Sequence, residues 1–444
     1  MSVRDLVVIL AFLLALPFAF ARPWTGMLLW SWISYMNPHR LTWGIASGLP
    51  LALVAFSATV GGMLFSRDRR SIPLTRETFL LLAFWVVCAL STLWAAFYPA
   101  EAWEQLIKVS KIWIATYITM MLFWERKRIH ALLLVIALSL GFFGLKGGIW
   151  AIATGASNQV LGPPGTFIAG NTEIGLALNM TLPLLLFLRR EEPRWWLRHL
   201  LLLMFAFSIV ASLITYSRGA LLGLVAVLIV LFWRSKGKWL IVLLIAVGAP
   251  IAVQFLPPAW FDKMSTMKTY EEDASAMGRI HAWTIAYRIA LDRPILGAGF
   301  RPFTAETAER YLPEVPPMGT DAHNIFFQVL AEHGITGLAL FVALLASTMA
   351  TLRTTVRRGS RRAATAWMAN YAQMIEASLI AYLVSGFFLS LSYFDLVYHF
   401  IAIAVVLSVM LREAERSAVS AEAVATSRAE LSPLAPLPAP SAGT

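Results

Sequence analysis

The chain reads as an all-α, polytopic integral membrane protein with about twelve transmembrane helices and one long external loop that itself contains helices. Three observations predict this. Hydrophobic residues make up 59% of the 444 and charged residues only 14%, whereas a soluble domain carries about a quarter charged residues. Apolar runs near the bilayer-crossing length of about 20 residues recur along the chain. Basic residues gather in alternate short connections, the pattern that marks cytoplasmic loops. The net charge of +11 is thus a topology signal, and nucleic acid is not an expected partner. The single cysteine, Cys88, lies in an apolar run and excludes an intrachain disulfide.

Taken in order, the spans fall near 6–20, 45–65, 77–97, 107–123, 131–152, 173–188, 198–216, 218–233, 238–256, 324–352, 373–391 and 395–411. The first ends at Ala19-Phe20-Ala21, which looks like a signal-peptide cleavage site. Apolar runs continue at once and Arg4 is the only basic residue ahead of it, which favours an uncleaved span. The run 23–36 has 14 residues, a length suited to a re-entrant or interfacial helix. It is non-crossing if the N-terminus is cytoplasmic, and a thirteenth span if the N-terminus is external.

Loops 67–76, 124–130, 189–198, 234–238 and 353–372 carry the arginines and lysines, which places them in the cytoplasm. Loops 98–106 and 153–172 contain neither Lys nor Arg and face outward, as does the long loop 257–323 by alternation. The membrane domain is expected to cover 1–416. The Ala-, Pro- and Ser-rich stretch 417–444 is expected to be a disordered cytoplasmic tail.

Polar groups at outer span ends are the chemical candidates. Arg218, in Thr215-Tyr216-Ser217-Arg218-Gly219-Ala220, occupies a tight outer junction between two spans. A guanidinium there either snorkels to lipid headgroups or grips a phosphate with two parallel hydrogen bonds, and Tyr216 adds a hydroxyl. In the long loop, Asp273 or Ser275 is expected to cap a helix with Arg279 in its first turn, a favourable place for an anion. Arg288, nine residues on, points to the opposite face of that helix, and Arg301 lies on a following turn. His323 stands beside Asp321 and Asn324 just ahead of a span, where a neutral imidazole can take a proton at ordinary pH. Glu332, nine residues along a helix from His323, is expected on the opposite face. Lys108, Lys111 and Lys146 lie toward outer span ends and together would make a cationic pocket. No histidine pair has metal-ligand spacing and no nucleotide-binding glycine loop occurs, so neither metal nor cofactor is expected.

Read together, Thr215-Tyr216-Ser217-Arg218-Gly219-Ala220, Gly278-Arg279-(x)3-Trp283, Pro294 to Phe300, and Ala322-His323-Asn324 with Leu330-Ala331-Glu332-His333-Gly334 resemble the O-antigen ligase and polymerase family over roughly 160–350. The opening Tyr35-Met36-Asn37-Pro38-His39-Arg40-Leu41-Thr42-Trp43 resembles a subgroup described as O-glycosylation ligases. The resemblance implies an inverting, metal-independent glycosyltransferase at the periplasmic face of the bacterial inner membrane. It would move a glycan from undecaprenyl diphosphate to lipid A–core oligosaccharide, with His323 as base and Arg218 and Arg279 on the diphosphate. The remaining candidates Arg288, Arg301, Tyr216, Asn324, Lys108, Lys111 and Lys146 would bind substrate. A repeat-unit polymerase or a protein O-glycan ligase would use the same donor chemistry. A lipid-linked sugar flippase is the reading from another class. It expects ionisable groups near the midplane, for which Glu173, Glu376 and Asp395 are the candidates.

Overall fold

In the computed structural model, residues 2–235, 237–239, 253–254, 256–265, 274–315 and 321–430 are described; 79% of these described residues are helical, with no strand among them. Their fifteen helices are α1 (Val3–Ala21), α2 (Pro23–Met36), α3 (Leu51–Phe65), α4 (Arg76–Trp94), α5 (Pro99–Leu122), α6 (Arg126–Ala153), α7 (Asn171–Glu191) and α8 (Trp195–Leu213), followed by α9 (Arg218–Arg234), α10 (Pro258–Ser265), α11 (Ala274–Asp292), α12 (Ala305–Tyr311), α13 (Ile325–Gly359), α14 (Ala366–Gly386) and α15 (Asp395–Glu430). Seven are long and apolar enough to cross a membrane: α1, α4, α6, α7, α8, α13 and the stretch Asp395–Ala421 of α15. The protein is a polytopic helical membrane protein. The other expected spans are met by shorter or more polar helices, α5 for example carrying Glu101, Glu104, Lys108 and Lys111. The expected span 238–256 lies almost wholly outside the described residues.

Ion pairs tie the arginine-rich connections together at one end of the bundle. Arg128 meets Asp68 at 3.0 Å, Arg126 meets Glu191 at 2.6 Å, and Arg70 reaches Glu413 at 2.9 Å. Arg353 binds Glu376 at 2.9 Å, Arg234 binds the same carboxylate, and Arg358 pairs with Glu415. At the opposite end the long loop docks on its neighbours. Tyr98 bonds Thr304 at 2.6 Å and Trp260 donates to the Leu213 carbonyl at 3.0 Å, while the Val160 amide, in the connection after α6, donates to the Ile214 carbonyl. Loops of like composition therefore share a face.

Of the two alternatives for the second segment, the first hairpin fits the one in which 23–36 runs from one face of the bundle to the other. Arg128, on the basic face, lies over the ring of Trp24 at the start of α2. The end of α2 opens into a hollow lined by Met36, Pro38 and Arg40 together with Lys146 and Trp150 from the far end of α6. With 14 residues, α2 connects the two faces, and Val3 and Arg4 line the same hollow at the start of α1. The N-terminus thus sits on the face opposite the basic loops. A helix this short bridges the bundle because α1, α3 and α6 surround it, so its ends contact protein on both sides.

α7 and the apolar part of α15 occupy the middle, with 78% of each apolar window buried. The Asn179 side chain of α7 donates to the Ala220 carbonyl at 2.7 Å and accepts from Ser212 at 2.8 Å, so both its polar ends are satisfied. This fixes the start of α9 against α7. α15 continues to Glu430, so residues 417–430 are helical where a disordered tail was expected. They contain alanine, glutamate and arginine, good helix formers, and no proline precedes Pro433. Residues 431–444 are outside the described set.

α13 is broken at Gly334, whose backbone has φ 67 and ψ −167. The interruption exposes carbonyls that a continuous helix would consume. The stretch 294–300 fills the gap: the Ala298 amide donates to Ala331, that of Gly299 to Glu332, and the Ile335 amide donates to Pro294, at 2.7 to 2.9 Å. Ser91 of α4 donates to both Leu296 and Glu332 carbonyls. Gly297 has φ 64, and a Cβ there would stand 2.6 Å from the Ala331 oxygen. The two motif stretches are one structural joint.

Candidate active site

On the face opposite the basic loops, a pocket of about 360 Å³ is lined by Arg218, Arg279 and His323, with Tyr216, Lys263 and Glu173 beside them. Each cation arrives on a different element. Arg218 is the first residue of α9, where Ser217 caps the helix by accepting from the Ala220 amide at 3.2 Å. The start of α7 faces the same space through Asn171 and Thr172. Two helix N-termini therefore add their partial positive charge to that of the guanidinium. Arg279 comes from α11, more than a turn beyond Ala274. The expectation that it lies in the first turn is corrected, and the helix end facing this pocket beside an arginine is that of α9. Asp273 lies outside the described residues, and Ser275 falls inside α11 rather than ahead of it.

His323 has φ 48, in the left-handed region. Tyr216 at φ 56 and Arg301 at φ 55 share that conformation, so three of the five non-glycine residues with positive φ among the described residues are site candidates. Each such residue costs on the order of 1 kcal/mol, and persists only where its surroundings hold it. Around His323 the restraints are visible. Its amide donates to Ser390 Oγ at 2.9 Å, and Trp283 Nε1 donates to the Ala322 carbonyl at 3.0 Å. The Trp283 ring stacks on Phe327 at 5.3 Å. Tyr216 is held by its hydroxyl, which donates to the Ala156 carbonyl at 2.8 Å.

Burial lowers the His323 pKa below its ordinary 6.5, with Arg279 acting in the same direction and Asp321 opposing both. Burial raises the Asp321 pKa, against the pull of His323 and Arg301. The imidazole is therefore neutral at ordinary pH, the state a base requires.

A second cavity, of about 730 Å³, shares Glu173 with the first. Lys108 and Arg301 line it, along with the buried carboxylate of Glu332, Glu101 and the amides Gln105 and Gln328. Lys108 also lies over the Phe167 ring at 4.0 Å. Glu332 accepts from the Tyr393 hydroxyl at 2.5 Å and from the Arg301 amide at 3.3 Å. On helical phase the sequence argues against a His323–Glu332 dyad. The two do line different cavities, although phase is not the reason, since α13 begins at Ile325 and His323 precedes it. Lys263, on α10, was missed. Its position in the long loop carries no local signal.

Other candidates go elsewhere. Arg288 donates to the Tyr311 carbonyl and pairs with Glu314 at 2.9 Å, which makes it a brace within the long loop rather than a ligand group. Asn324 is the N-cap of α13: its Oδ1 accepts from the Phe326 and Phe327 amides, and its Nδ2 donates to Phe387. Its side chain thus serves the α13 cap and the Phe387 carbonyl, and no hydrogen bond from it to the His323 ring is seen among the described residues. Lys111 is exposed and lines neither cavity, and Lys146 faces the separate hollow beside α1 and α2. The three lysines do not form one pocket: Lys108 meets the 157–170 connection at Phe167, and Lys146 meets it from the other hollow, near Gln159 to Pro164.

Comparison with known families divides the chain in two. Residues 201–342 match the family described as O-Antigen ligase, and residues 3–193 match a family of unknown function (DUF5935). No curated protein matches the chain. The first match holds Arg218, Arg279, His323 and Glu332, and the second holds α5 and the start of α7, which complete both cavities.

Proposed function

We propose that this membrane protein, a member of the O-antigen ligase family by its residues 201–342, transfers a glycan from a polyprenyl diphosphate to a hydroxyl of lipid A–core at the periplasmic face of the inner membrane. The observation that carries this reading is the convergence of Arg218, Arg279 and His323 in one pocket, at two helix N-termini, on the face away from the basic loops.

The diphosphate lies between Arg218 and Arg279, with Lys263 contributing a third charge. His323 takes the proton from the acceptor hydroxyl as that oxygen attacks the anomeric carbon. The bond from that carbon to the phosphate oxygen breaks, and its electron pair leaves with the diphosphate. Attack from the side away from the leaving group inverts the anomeric centre. The arginines stabilise charge that grows as the bond breaks, which is where an oriented cation in a water-poor site contributes most. The larger cavity, with the carboxylates Glu101 and Glu332 and the amides Gln105 and Gln328, has the acceptors and donors that sugar hydroxyls need, and we assign the acceptor saccharide to it.

The test is transfer by the purified full chain from a lipid-linked glycan to three acceptors offered separately: lipid A–core, a peptide, and a second lipid-linked glycan. Product on lipid A–core alone supports the proposal. Product only on peptide or only on the second glycan replaces the acceptor assignment with protein ligation or polymerisation. Movement of the donor between leaflets with no covalent product would overturn transfer altogether.

A further inference from the structure

The hollow between the start of α1, the end of α2 and the end of α6 is separate from both cavities of the candidate site, and has a volume of about 950 Å³. Its cationic groups are Arg4, Arg40 and Lys146, and among the described residues that line it there is no carboxylate. The carboxylate of Asp5, next in sequence to Arg4, accepts from the Ser2 amide and hydroxyl at 2.8 Å and from the Ala46 amide at 3.2 Å. The walls are apolar, from Val7, Phe142, Phe143 and Trp150 among others. Arg4 lies over the Trp43 ring at 4.8 Å, and that ring is 86% exposed. An exposed indole at the end of a span is the usual marker of the membrane–water boundary.

We propose that this hollow holds an anionic glycerophospholipid, its phosphate between Arg4, Arg40 and Lys146 and its acyl chains along the α1 and α6 walls. Charge complementarity argues for the phosphate. Acyl chains rather than sugar fit the rest: the sugar-type acceptors abundant in the 730 Å³ cavity are replaced here by aliphatic and aromatic walls, with Gln159 and Thr42 as the polar exceptions among the uncharged lining residues. Gln159 also lines the pocket of His323. The bound lipid therefore forms part of the wall that supports the 157–170 connection beside the site. This assignment stands independently of the glycan chemistry.

The experiment reads lipid retained by delipidated full-length protein after incubation with phosphatidylglycerol or phosphatidylcholine, by native mass spectrometry. Wild type is expected to retain phosphatidylglycerol in preference. The triple variant Arg4→Gln/Arg40→Gln/Lys146→Gln should lose that preference by about fivefold for each cation removed. The charge-keeping triple Arg4→Lys/Arg40→Lys/Lys146→Arg should retain most of it, which separates loss of binding from loss of folding. Arg67→Gln/Arg69→Gln, the same kind of change on the basic face, should leave retention unchanged. Equal loss in the basic-face control, or no loss in the groove triple, overturns the proposal. So does displacement of the lipid by inorganic phosphate at equal concentration, which would make this a free-anion site. Tighter retention of an acylated phosphorylated saccharide than of phosphatidylglycerol would overturn the choice of lipid.

Discussion

Trp283 Nε1 donates to the carbonyl of Ala322 at 3.0 Å, and so fixes the main chain one residue before His323. α11 thereby delivers Arg279 and holds the imidazole in the same pocket. Trp283→Phe keeps an aromatic ring against Phe327 but leaves that carbonyl without its donor, which costs about 1 kcal/mol. Turnover should fall while donor affinity changes little. Thermal unfolding together with single-turnover kinetics checks this; an unchanged rate would mean that Ser390 alone positions His323.

Replacement of His323 should abolish the proton transfer. Asn is the informative substitute because it tolerates the left-handed backbone at φ 48. His323→Asn should lower turnover on the order of 10²–10⁴-fold, the usual contribution of one acid–base group, with donor affinity intact. In the wild type, protonation removes the lone pair that accepts the proton. Burial holds the pKa below 6.5, so activity should be flat through neutral pH and fall only as pH drops through that lowered value. Weakened donor binding with preserved turnover at saturating donor would instead make the imidazole a cation for the diphosphate.

The arginines should separate by position. Arg218→Lys keeps the charge but loses the planar fork, and transfer should drop strongly with normal membrane insertion. Arg279→Ala should be severe as well. Arg288→Ala should leave transfer nearly intact, since that side chain braces Tyr311 and Glu314 inside the long loop. Initial rates at saturating donor decide, and a severe loss at Arg288 would place a second anion site on the loop.

Gly334 carries the break in α13. A Cβ there would lie 2.5 Å from the Pro294 oxygen and 2.8 Å from the Ile295 carbonyl carbon, and φ 67 is unfavourable for alanine. Gly334→Ala should destabilise the protein by roughly 1–3 kcal/mol and loosen the 294–300 stretch. Protection of its amides from hydrogen exchange should fall relative to that of α7.

Sidedness is open to labelling. Single cysteines at Val3 and Arg310 should react with an impermeant reagent from outside, and one at Ser360 should not. Cys88 is buried and should stay silent. Reaction at 360 but not at 310 would reverse the assignment of faces, and silence at Val3 with reaction at 310 would place α1 and α2 differently.

By itself the sequence determined the helical membrane class and the place of nearly every described helix. Hydropathy over some twenty residues is a local property, and a bilayer leaves a backbone few alternatives to helix. It also singled out Arg218 and His323, because a costly polar group at a span end stands out against an apolar background, and Arg279 by its place on an amphipathic stretch of the long loop. Tertiary structure decided what depends on partners distant in the chain. Arg288 and Asn324 have the same chemistry as binding groups, and only the positions of Glu314, Tyr311 and the α13 amides show that they are already engaged. Whether 23–36 connects both faces rests on Trp24 meeting Arg128 at one end and Pro38 facing Lys146 at the other. Glu332 enters a cavity rather than a helix interface because Gly334 breaks α13 and the 294–300 stretch docks into the break, a pairing that no local period encodes.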